Sequence, residues 1–204
     1  MRITYIRMRR ILLTSALLAA FSAAPAALSQ EGPPAAPAAA PAVVADDALD
    51  TLFDALKRER DPGKARGLAQ EIMTEISASG SATIDLLMQW AATAIGEKRN
   101  AAALDFLDQV TLLQPDYVEA WNRRAGLHYG MGDKRKSMAD INQVLQREPR
   151  HFGAIAGMAA ILSDAGQDEL ALKAWQRYLE VYPADRDAQE AAIKLSEKLA
   201  GSRT

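Results

Sequence analysis

The reactive inventory of this 204-residue chain is short. It contains no cysteine and two histidines, His128 and His151, which excludes thiol chemistry, a Cys-ligated zinc or iron–sulfur site and an all-histidine metal site. The histidines sit on different elements and read as structural polar residues rather than as a base or a ligand pair. Asp46, Asp47 and Asp50 resemble a carboxylate cluster, but they stand at an expected helix start, where acids favour the macrodipole and cap free amides. No phosphate-binding glycine loop, GxSxG elbow, HExxH pair or paired-glycine nucleotide fingerprint occurs. The expectation is a non-catalytic protein with no metal and no cofactor.

One constellation is unusual. Arg124 and His128 form an i, i+4 pair on a helix face meant for the core. Burying an unpaired charge is costly, so a partner is required, and Asp140 on the companion helix is the candidate. Arg124, His128 and Asp140 are therefore expected to form an internal ion pair that fixes helix register.

The charge balance narrows the partners. With 24 basic against 26 acidic residues, no bulk positive field exists to hold nucleic acid. Residues 1–10 carry Arg2, Arg7, Arg9 and Arg10, and an apolar run from Ile11 to Phe21 precedes a small-residue stretch ending at Ser29. This is the pattern of a secretory signal peptide of the general export route in a Gram-negative-type cell, with cleavage expected between Ser29 and Gln30. The apolar run is about half of the ~20 residues a spanning helix needs, so no stable membrane insertion is expected after cleavage. Removal of residues 1–29 leaves 20 basic and 26 acidic residues, which suits a periplasmic or secreted protein. Residues 30–47, rich in Pro and Ala, read as a disordered, extended linker.

Beyond the linker the chain repeats. Pro115, Pro149 and Pro183 are spaced by 34 residues, which defines blocks 84–117, 118–151 and 152–185. Position 8 of each block is Ala91, Ala125 and Ala159, and position 20 is Ala103, Ser137 and Ala171. These columns must be small because two antiparallel helices approach most closely there. Large residues surround them: Leu87, Trp121 and Ile155 at position 4, and Leu107, Ile141 and Trp175 at position 24. Gly96, Gly132 and Gly166 suit the turn between the two helices, and the proline at position 32 ends the second. One period further back, block 50–83 places Phe53, Leu56, Ala69, Met73 and Ile76 on core positions, although Lys57 breaks the pattern. It reads as a degenerate first repeat that caps the stack. Residues 186–200 form a polar-faced end helix, completing an all-α domain over 48–200 with about nine helices.

Period, small columns and terminal proline together resemble the tetratricopeptide repeat (TPR), a helix–turn–helix unit stacked into a solenoid. The Asn122-Arg123-Arg124 opening is similar to that of exported bacterial TPR proteins. The resemblance implies a concave groove that binds a protein or peptide partner, lined here by Met88, Ile95, Glu119, Asn122, Arg123, Gly126 and Tyr129. It also argues against a chaperone-tail receptor, whose carboxylate clamp needs Lys, Asn and Arg. Met88, Ala92 and Gly157 stand at those positions, and only Arg123 survives. The expected function is a periplasmic adaptor for another envelope protein. Two alternatives are a self-associating homo-oligomeric scaffold and an accessory regulator of a cell-envelope or cytochrome-assembly enzyme.

Overall fold

The computed structural model describes residues 42–201; the expected signal peptide, its Ser29/Gln30 cleavage site and most of the linker lie outside them. Among the described residues there are nine helices and no strand. They are α1 (Ala42–Arg58), α2 (Pro62–Ile76), α3 (Ala82–Gly96), α4 (Asn100–Leu113), α5 (Val118–Gly130), α6 (Lys134–Arg147), α7 (Phe152–Asp164), α8 (Asp168–Val181) and α9 (Arg186–Gly201).

From α3 to α9 the helices pack in chain order, each against the next. The pairs α3/α4, α5/α6 and α7/α8 coincide with the three blocks, and the small columns are why. Ala91, Ala125, Ala159, Ala103, Ser137 and Ala171 are all buried. A larger side chain at any of them would push apart the helices whose close approach seals the core. The turn inside each pair repeats as well. Lys98, Gly132 and Gly166, one period apart, all take positive φ, at 58°, 82° and 68°. Gly96, expected to make the first of these turns, instead ends α3, and Lys98 carries the left-handed conformation that glycine adopts without strain.

The N-terminal hairpin departs from the expected arrangement in two ways. First, α1 begins at Ala42, inside the stretch read as linker. Pro41 is the last proline before Pro62, so from Ala42 onward every amide can enter the helical ladder. Asp46, Asp47 and Asp50 thus lie within α1 rather than at its start. Second, the hairpin does not stack on α3 as a first repeat. Outside its own pairing, α1 packs against α8.

The hairpin lies instead along the row of turns that end the three repeats. Near the first turn, Tyr117 Oη donates to the Ser77 carbonyl at 2.8 Å and Gln114 Nε2 donates to the Ser79 carbonyl at 3.0 Å. At the second, Arg150 pairs with Asp50 at 2.7 Å and holds its guanidinium 4.2 Å from the centre of the Phe53 ring. At the third, Tyr182, Ala184 and Ala188 share an apolar cluster with Ala65, Ala69 and Ile72. Leu56 and Ile72 on the hairpin's inner face are fully buried, and Phe53 beside them is nearly so. The apolar pattern of block 50–83 is therefore satisfied, but against the edge of the solenoid. Burial against the edge serves those residues as well as burial against α3 would.

The middle of that edge holds the fully buried His151. Its Nδ1 accepts a hydrogen bond from the Ala154 amide at 3.1 Å, capping α7, while Nε2 has no hydrogen-bond partner. Burial pushes the imidazole below its ordinary value; Glu119 and Glu148 oppose that shift without cancelling it. His151 stays neutral in the folded protein, whereas in the unfolded chain it protonates near pH 6.5. Below that pH the unfolded state binds more protons, so the contribution of His151 to stability is complete above about pH 6.5 and is lost as pH falls toward its depressed native value. Urea unfolding at stepped pH is expected to show this loss below pH 6.5 in the wild type and a flatter profile in His151→Asn, which retains a capping oxygen.

Candidate functional site

Two sites emerge from the middle repeat, one inside the helix stack and one on its concave side. Inside, Arg124 projects from α5 toward the preceding repeat. Its Nε and Nη2 make paired hydrogen bonds to the Asp140 carboxylate at 2.9 and 2.7 Å, and Nη1 reaches Asp108 at 2.7 Å and Thr111 Oγ1 at 3.1 Å. The guanidinium also lies 4.7 Å from the centre of the Trp121 ring. His128 Nε2 stands 3.9 Å from Asp140. The structure thus brings Arg124, His128 and Asp140 together, and it adds Asp108 and Thr111 from α4. Hydrogen bonding to Asp140 raises the Arg124 pKa further, outweighing the opposing effect of burial. Four of its five guanidinium N–H groups bond protein acceptors and its plane lies over an aromatic ring, so this cation is committed to the structure.

The concave side is built from α5 and α7. A cleft of about 100 Å³ opens between them, bordered by Asn122, Gly126 and Tyr129 on one wall and by Gly153 and Gly157 on the other. At Gly157 a Cβ would come within 3.3 Å of Ile141 Cδ1, a tight contact that the end of the isoleucine side chain would have to yield. At Gly126 a Cβ would meet nothing within 4 Å, so the open space there is cleft rather than packed interior. The rim is fixed by polar contacts between repeats. Tyr129 Oη donates to Asp164 at 2.9 Å, and Lys134 pairs with the same carboxylate at 3.1 Å. The bond to Asp164 raises the Tyr129 pKa, so its hydroxyl is a donor already committed at the rim.

Of the expected groove residues, Asn122, Gly126 and Tyr129 converge on this cleft. Ile95 is exposed at the end of α3, away from it. Met88 and Glu119 are buried and present no groove surface, which corrects their placement. Met88 belongs to the α3/α4 core, and Glu119 accepts hydrogen bonds from Asn122 Nδ2 at 3.1 Å and from Arg123 Nε at 2.7 Å within its own helix. Arg123 is thereby held on α5 as the partner of a buried acid. Gly153 and Gly157, spaced by four on one face of α7, make the opposite wall. Among the described residues, no group of three His, Cys, Asp or Glu side chains is placed to hold a metal ion, and no helix is long and apolar enough to cross a membrane.

Comparison with known proteins bears on the fold and the family. No family model matches the chain. A TPR repeat-containing protein of Rhizobium etli is 65% identical over 156 residues, which cover 76% of each chain. Among solved structures, the first TPR of Spaghetti bound to an HSP90 peptide superposes with a TM-score of 0.55 at 19% identity, covering 59% of this chain and 95% of that one. The TPR2B-domain:pHsp70 complex of yeast Sti1 gives 0.52 at 14% identity, covering 58% and 99%. The fold and its stacked pairs define a helical-repeat interaction module. The chain belongs to the tetratricopeptide-repeat protein family, whose members act typically as non-catalytic adaptors between proteins.

The ion cluster makes an asymmetric prediction. Arg124→Ala strands the buried Asp140 and should destabilise the fold by about 3–5 kcal/mol. Asp140→Ala leaves Arg124 its contacts with Asp108 and Thr111 and should cost less. In urea unfolding, the double variant should lose about 1–3 kcal/mol less than the sum of the single losses.

Proposed function

We propose that this protein is an adaptor of the cell envelope that holds an extended peptide or a helix of another envelope protein on the concave side of its repeats. The observation that carries the reading is the open cleft between α5 and α7. It has glycine on both walls, so a partner backbone or small apolar side chain can enter closely. Asn122 supplies a hydrogen-bonding tip beside it, and the Tyr129–Asp164–Lys134 bridge holds the two walls at fixed separation. Affinity comes from apolar contact along the cleft and orientation from the amide tip. The peptide-bound relatives of this fold favour the same mode. The clamp for acidic chaperone tails is absent, since Met88, Ala92 and Gly157 replace its Lys, Asn and Arg and Met88 is buried. The envelope address rests on the basic and apolar segments of residues 1–29 and on the small residues before Gln30.

Gly126→Leu tests the site without disturbing the fold. It adds a side chain to open space on a helix, removes the glycine penalty of roughly 0.5–1 kcal/mol, and fills the cleft. The variant should melt at or above the wild-type temperature and should lose the partner recovered by crosslinking from envelope extracts; undiminished recovery would count against the cleft. The address is tested separately, by mass spectrometry of the native protein. An N-terminus at Gln30 is expected, and a soluble cytoplasmic form retaining Met1–Ser29 would overturn it.

A further inference from the structure

We infer that the uncovered end of the solenoid, an apolar face of α3 and α4 centred on Trp90 and Phe106, is a docking surface for a second copy of this chain. The repeats stack through fixed columns. In the second repeat, Ala120, Arg124 and Leu127 at positions 3, 7 and 10 face the preceding repeat. Ala120 and Leu127 share a cluster with Leu107 and Val110, while Arg124 bonds Asp108 and Thr111. In the third, Ala154 and Ile161 at positions 3 and 10 pack with Ile141 and Val144, and Met158 at position 7 packs against the same cluster. These columns are the stacking face of every repeat.

In the first repeat the same columns hold Leu86, Trp90 and Thr93, and none of the described residues covers them. Leu86 is 43% exposed and Trp90 46%, where Ala120 and Ala154 are at 0% and 1%. Position 23, which is the buried Asp140 in the second repeat and the buried Ala174 in the third, is here Phe106, whose ring lies 5.6 Å from that of Trp90. The face has therefore gained two aromatic rings at the place where a terminal repeat needs polar residues. Its border is polar: Arg99 pairs with Glu97, and Gln89, Asp105 and Gln109 are exposed. An apolar centre inside a polar rim is the anatomy of an interface rather than of a solvated end.

Three observations select the occupant. The α1–α2 hairpin, which precedes α3 in the correct register, is engaged along the edge, where Leu56, Ile72 and the Asp50–Arg150 pair hold it. Leaving that edge would expose its whole cluster with Tyr178, Tyr182 and Ala188. The opposite end of the solenoid is closed by α9, whose outer face carries Glu190, Lys194 and Glu197 around a single exposed large aliphatic, Ile193, so it offers no aromatic or extended apolar surface for head-to-tail stacking of copies. What remains complementary to the Trp90–Phe106 face is the same face of another copy, related by a two-fold axis that closes the assembly at two chains. Two helices of 15 and 14 residues side by side offer a face of roughly 20 Å by 20 Å. Their symmetric contact buries roughly 800 Å² in total, below the size of stable specific interfaces, which sets a weak, reversible dimer.

Sedimentation of the purified full chain over a wide concentration range should show a monomer–dimer equilibrium. Trp90→Glu should weaken it by at least about tenfold while leaving the circular dichroism and melting temperature unchanged. Because the chain has no cysteine, single-cysteine variants map the contact cleanly. Leu86→Cys, near the axis, should form an intermolecular disulfide under mild oxidation, and Ile193→Cys on α9 should not. A monomer at every concentration, a dimer indifferent to Trp90→Glu, or crosslinking through Ile193→Cys in place of Leu86→Cys overturns the inference. So does a monomer whose melting temperature falls with Trp90→Glu, which would place the chain's own hairpin on that face.

Discussion

A pair of antiparallel helices cannot bury its own apolar surface. It seals one side by internal packing and leaves two faces that a neighbour must cover. Every architectural choice in this protein answers that constraint. The second and third repeats each present their stacking face to the pair before them. The end helix α9 turns a charged surface outward to finish the series. The N-terminal hairpin, too degenerate to pack as a further repeat, finds its cover along the turns at the edge. Small residues at the helix crossings allow each pair to close, and without them no stacking face would be flat enough to meet the next.

The constraint also explains why a cation can be tolerated between the first two repeats. Arg124 stands in a column that is apolar in its neighbours, and its burial would be prohibitive if it were alone. A carboxylate from its own hairpin and a carboxylate and hydroxyl from the preceding one complete its shell. The cluster therefore acts as a register key. A one-residue slip between the repeats would separate Arg124 from Asp108 and Thr111, whereas purely apolar surfaces would tolerate it better. The concave cleft inherits its geometry from this fixed stacking, because its walls belong to successive repeats.

Much of this was legible from the sequence because the period is a direct record of the stack. The positions of the helix pairs, the small columns, the closing helix and the proximity of Arg124 to Asp140 all follow from counting in a frame of 34. What was not legible depends on surfaces that sequence periodicity does not identify. Phe53, Leu56 and Ile72 declare that the hairpin has an apolar face but carry no statement about which surface receives it. Asp108 and Thr111 lie in the repeat before Arg124, and reading one block at a time hides them. Glu119 occupies a groove position by number, yet its bonds to Asn122 and Arg123 draw it into the helix surface. Lys98 shows the same limit in the backbone: the turn is dictated by the stack, and the residue accepts a left-handed conformation that its type does not advertise.

The hairpin laid across three turns changes how the solenoid comes into being. A stack of repeats joined only to neighbours is dominated by local contacts and can assemble from either end, one pair at a time. The Asp50–Arg150 contact joins residues 100 positions apart, and the cluster around Ile72 extends to Ala188. The hairpin, made before all three repeats, must wait for the last repeat and α9 before its apolar face is covered. Loop-closure entropy makes this docking a late event, and until then Leu56 and Ile72 are open to any holding factor that meets the nascent chain. Once made, the bond between the two ends ties the fraying of the terminal repeat to that of the first hairpin, so the chain unfolds as one body where a free-ended array would melt from its tips.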